Sequence, residues 1–111
     1  MLLDLNRAKE FAFDPEQLRE LMMTFEQSLG QEMAIIDAAL VAQEALKVEH
    51  ALHALKGFMP LFTGEALAQT VTTLYQSSRQ QPLDVTGAEF TALVPSLNTL
   101  LAEVRTWLGP L

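Results

Sequence analysis

The two histidines of the chain stand three residues apart in His50-Ala51-Leu52-His53-Ala54-Leu55-Lys56-Gly57. Around them, Val48, Leu52, Leu55 and Met59 recur at i, i+4, i+7 and i+11, the spacing of a buried helical stripe. At about 100° per residue, that stripe turns His53 toward solvent and brings Leu46, His50, Lys56, Gly57 and Pro60 within about 60° of it. A free imidazole titrates near about pH 6.5, so an exposed one is partly neutral at cellular pH, and its neutral ring nitrogen is a nucleophile toward phosphorus. Lys56 supplies positive charge where phosphoryl oxygens would arrive. Glycine inside a helix costs about 1 kcal/mol relative to alanine, so Gly57 on the exposed face implies the close approach of a partner. Leu46 and Pro60 give that surface an apolar rim, and His50 lines the same partner face. A metal site is not indicated, because His50 and His53, even with Glu49, lack the third or fourth convergent ligand that a stable site needs.

Positioning such a surface requires a rigid helical frame, and the apolar pattern supplies one. From Asp14 onward the spacing is helical, with no alternating stretch that reads as a strand. Asp14-Pro15 opens a first helix, whose stripe is Leu18, Leu21, Met22, Phe25 and Leu29 and whose end is expected near Gly30. Ser28-Leu29-Gly30-Gln31 has capping-box spacing, so a bend or a new helix is expected there, with a second helix at about 31–42 carrying Met33, Ile36 and Leu40. A third helix is expected over about 44–59, ended by Pro60. Thr63 reads as the N-cap of a fourth, with Leu67, Val71 and Leu74 inward. Thr86-Gly87-Ala88-Glu89 has the spacing of a capping box for the last helix, which Pro95 should bend, Gly109-Pro110 should end and Trp107 should plug at the bundle end. Short connections between amphipathic helices favour antiparallel neighbours. The expected fold is therefore all-α, an up-down antiparallel four-helix bundle over residues 14–111, with residues 1–13 as a short, helical N-terminal segment.

Composition narrows the function classes. The 111 residues suit one domain, and half of them are hydrophobic, enough for a packed core. With 14 Asp+Glu against 7 Lys+Arg, the net charge of −7 disfavours nucleic acid as a partner. The absence of cysteine removes disulfides, thiolate zinc sites and thiol nucleophiles, and fits a cytoplasmic setting. No apolar run suits a membrane span, and Met1-Leu2-Leu3-Asp4 lacks the features of an export signal. No glycine-rich phosphate cradle is present, so ATP is not expected to bind through one.

The run His53-Ala54-Leu55-Lys56-Gly57 resembles the H-x-L-K-G signature of histidine-containing phosphotransfer (HPt) domains. These are helical bundles that pass a phosphoryl group between aspartates of response-regulator receiver domains. The likeness extends over most of the chain, with Leu18 to Phe25 similar to the family's first bundle helix, Met33 to Leu40 to its second, and the signature in the third of four. It implies that His53 is the phosphoacceptor, Lys56 the charge-stabilising lysine and Gly57 the residue that admits the receiver. It implies no cofactor of the chain's own, Mg²⁺ supplied by the receiver, no ATP-dependent kinase activity, no membrane contact by this domain, and an upstream hybrid sensor kinase. Phe58 and Pro60 stand where the family usually has small residues, and Thr63 where it tends to have glycine. Ungapped alignment of Leu67, Val71 and Leu74 places Tyr75, with Gln76 beside it, where many members carry a polar residue that orients the histidine ring. The three departures leave open a phosphate-independent helical adaptor that docks a receiver or other regulator. An acidic helical chaperone, with the Lys56-Gly57 spacing a coincidence, is a third reading.

Overall fold

The computed structural model describes residues 1–110; Leu111, the last residue of the expected bundle span, lies outside them. Five α-helices follow one another: α1 (Asn6–Phe11), α2 (Pro15–Val41), α3 (Ala45–Phe58), α4 (Glu65–Ser78) and α5 (Leu83–Leu108), with a 3₁₀ turn, Met59–Leu61, after α3. α2 packs along α3 and α5, and α4 along the same two, which closes a ring of four around one core. Contacts near helix ends fix the directions. Arg19 at the start of α2 donates to the carbonyl of Leu108 at the end of α5 (2.7 Å), and Phe25 meets Phe58 at the end of α3. Glu49 and Arg79 pair across α3 and α4. Each of these neighbours runs antiparallel, as short connections dictate.

α2 begins as the Asp14-Pro15 signal requires, with the Asp14 carboxylate accepting from the Gln17 N–H at 2.8 Å. It does not stop at Gly30. The expected helices at 14–30 and 31–42 are a single one of 27 residues, because Met22, Phe25, Leu29, Ile36 and Ala39 keep one buried face in register across the glycine. Met33 to Leu40 is thus the second half of the first long helix. The His53 helix is the second of four long helices, not the third.

Pro60 ends α3 as expected: the helix stops at Phe58 and the chain tightens into the 3₁₀ turn. The N-cap of α4 is Gly64 rather than Thr63. Thr63 is 5% exposed and its hydroxyl donates to the Leu2 carbonyl at 2.6 Å, because the N-terminal segment lies against it. Leu3 bridges Thr63, Asp4 N–H bonds the Phe62 carbonyl, and Glu103 of α5 accepts from the Leu2 and Leu3 N–H groups at 2.9 and 2.8 Å. Residues 1–13 are a strap of this kind plus one short helix.

α5 starts earlier than the capping box suggests. Pro82, extended at φ −59° and ψ 149°, is its N-cap and its carbonyl receives Val85 and Thr86 N–H. Thr86 is buried inside the helix, and its hydroxyl accepts from Gln81 Nε2 at 3.0 Å. The helix runs on through Pro95 to Gly109, whose φ of +80° ends it. Trp107 is 38% exposed and stands outside the buried core rather than closing the bundle end as expected.

Candidate functional site

α3 serves two masters. Val48, Ala51, Leu52 and Leu55 face the core, and Met59 follows them inward, so packing fixes the helix rotation. The opposite side carries His53 and Gly57, both exposed, with Leu46 62% exposed and His50 exposed beside them. Lys56 and Pro60 are half-buried at the edges of the same surface. A Cβ placed on Gly57 would meet no heavy atom within 4 Å. The space above it is open, so no packing inside this chain requires a glycine there.

α4 supplies the facing side. Tyr75 is half-buried, and its ring lies 5.2 Å from that of His53 at an interplanar angle of 60°, an edge-on contact. Lys56 Nζ lies 5.3 Å from the centroid of the same ring. Tyr75 therefore holds the imidazole and the ammonium group on one aromatic support. Gln76 is exposed, about 100° further round the helix, and makes no side-chain hydrogen bond among the described residues.

Arg79 escapes the sequence reading, and Glu49 enters it only as a candidate metal ligand. The Arg79 guanidinium stands 5.9 Å from the Tyr75 centroid, and its Nε lies 3.5 Å from the Glu49 carboxylate. Arg79 follows Tyr75 by one helical turn and Glu49 precedes His53 by one, so in antiparallel helices the two fall level with each other. The i+4 spacing from Tyr75 is the signal that locates Arg79. The protein is acidic, yet two cations, Lys56 and Arg79, stand within 6 Å of the ring that His53 contacts.

Of the departures from the signature pattern, two turn inward. Phe58 packs edge-on against Phe25 with centroids 5.6 Å apart, and Thr63 anchors the N-terminal strap. Only Pro60 borders the exposed face. Among the described residues no group of three or more His, Asp or Glu side chains converges as a metal site, and no helix is long and apolar enough to cross a membrane. Comparison with models of known protein families, with characterised proteins and with solved structures returns no match. What the chain shows without them is an all-α bundle with an exposed imidazole against Tyr75, a lysine near the same ring, and open space over Gly57.

Proposed function

We propose that the chain is a histidine phosphocarrier of the HPt kind in a multistep phosphorelay, taking a phosphoryl group from a receiver-domain aspartate on His53 and passing it to another receiver. The observation that carries this reading is the exposed His53 ring held by Tyr75, with Lys56 on the same support and open space over Gly57. A neutral ring nitrogen donates its lone pair to phosphorus while the bond from phosphorus to the aspartyl oxygen breaks and the partner's carboxylate leaves as an anion. The other ring nitrogen keeps its proton, so the product is a cationic ring bearing a dianionic phosphoryl group. Such transfers rest on positioning and electrostatics, which one nucleophile, one nearby cation and a clear approach path provide. Receiver sites hold their own Mg²⁺, and no metal is asked of this chain. The reading places the protein in the cytoplasm, downstream of a hybrid sensor kinase.

The adaptor alternative draws on Phe58, Pro60 and Thr63, and the inward roles of Phe58 and Thr63 leave it Pro60 alone. The test is incubation with a panel of phosphorylated receiver domains. Acid-labile, base-stable phosphate is expected on the wild type and absent from His53→Gln. Binding without label from any receiver would overturn the carrier in favour of the adaptor.

A further inference from the structure

Glu49 presents a difficulty for a phosphorylated His53. One turn away on the same helix, it sets a carboxylate beside a group that becomes dianionic, and like charges at i and i+4 repel. In the bare protein that carboxylate is occupied by Arg79 at 3.5 Å. The guanidinium is otherwise exposed, with 59% of its side-chain surface open, and it already lies within 6 Å of the ring that supports His53. An exposed pair of this kind holds its partners weakly, so it exchanges them readily. A dianionic phosphoryl offers a guanidinium a stronger, two-pronged partner than a single carboxylate does.

Resting on the carrier reading, we propose that Arg79 is a movable counter-ion: it neutralises Glu49 while His53 is bare and turns across the Tyr75 face to the phosphoryl oxygens once His53 carries them. Lys56 is the fixed cation of the site and Arg79 the recruited one. Glu49 opposes the recruitment and so sets how strongly the phosphorylated state is held. Tyr75 is the pivot, its ring in edge-on contact with His53 and within 6 Å of Lys56 Nζ and the Arg79 guanidinium. The charged and titratable groups around His53 are Glu49, His50 and Lys56 from α3 and Tyr75 and Arg79 from α4.

The test phosphorylates the full chain with phosphoramidate, a small donor that needs no receiver, and follows the phosphohistidine ³¹P resonance across pH. A guanidinium on the phosphoryl group favours its dianion and lowers the titration midpoint. Arg79→Gln is expected to raise the midpoint by about 0.5–1 pH unit, Arg79→Lys to restore part of the shift, and Glu49→Gln to lower it below that of the wild type. Arg79 is exposed, and helical circular dichroism verifies that the variants fold. A midpoint in Arg79→Gln equal to the wild type's, on chains labelled at His53, overturns the counter-ion and leaves the carrier standing. Label that persists in His53→Gln, or none on the folded wild type, overturns both.

Discussion

The two sides of α3 obey different rules. Toward α2, Phe58 meets Phe25 edge-on, and Phe25 stacks on Phe62 at 4.0 Å with 11° between the rings. Every group there is held by several neighbours, and close packing leaves little freedom in identity or position. Toward α4, His53, Lys56 and Arg79 make a looser set of contacts with Tyr75, at 5–6 Å between centres. The first side gives stability, and the second is where the carrier reading puts the chemistry. The bundle separates them by one helix width, so each can be altered with limited effect on the other.

The largest break in that separation comes from Phe25, which is 2% exposed and touches both other rings. Phe25→Ala should lose about 3–5 kcal/mol of stability, the range for a buried aromatic cut to alanine. His53→Gln, at an exposed site, should stay within about 0.5 kcal/mol of wild type. Denaturant unfolding followed by circular dichroism measures both. Phosphoramidate labelling, scored on the folded fraction, should survive in Phe25→Ala and vanish in His53→Gln. A His53→Gln loss as large as that of Phe25→Ala would show that the two sides are not separate.

The same contrast explains what could be read from the sequence. The placement of His53, Lys56 and Gly57 on one exposed face follows from the 3.6-residue period of Val48, Leu52 and Leu55, since packing alone sets the helix rotation. Asp14-Pro15 and Gly109 act on the few residues next to them and are equally legible. Local signals misled where a distant segment competed for the same group. Thr63 reads as a cap until Leu2 takes its hydroxyl, and Thr86 reads as a cap until Pro82 starts the helix a turn earlier. Gly30 reads as a stop, but the buried face continuing to Ile36 and Ala39 outweighs a helix-propensity cost of about 1 kcal/mol. The i+4 spacing from Tyr75 places Arg79 on the right face, but its pairing with Glu49 depends on which residues of α3 lie opposite α4, a register that no local pattern encodes.

Two glycines sharpen the comparison further. Gly30 and Gly57 both lie within helices, and a Cβ on either meets nothing within 4 Å. Alanine at each should therefore stabilise the fold by about 0.5–1 kcal/mol, through helix propensity alone. At Gly30 nothing else should change. At Gly57, on the carrier reading, the added methyl obstructs the approaching receiver, and transfer from a phosphorylated receiver should slow about tenfold, equivalent to ~1.4 kcal/mol of lost docking. Labelling by phosphoramidate, which needs no such approach, should be unaltered. Equal transfer rates for Gly30→Ala and Gly57→Ala would remove the docking role from Gly57.

The smallest effect lies with the acids. On the site side Glu49 has Arg79, whereas Glu32 in α2 forms no ion pair among the described residues, and burial raises its carboxyl above the usual 4.5. A raised carboxyl means that its charged form is tolerated less well in the folded chain than in the unfolded one. The penalty is therefore fully present above the folded pKa and fades as pH falls through it toward the unfolded value. Glu32→Gln should gain slight stability at pH 7, a gain that shrinks by pH 4, as read from the difference between unfolding midpoints at the two pH values. Glu49→Gln, which breaks an ion pair, should give no such gain at pH 7. If Glu32→Gln instead lost stability at pH 7, the Glu32 carboxylate would have to be held by a favourable contact, and the contrast between a compensated acid at the site and an uncompensated one in α2 would fail.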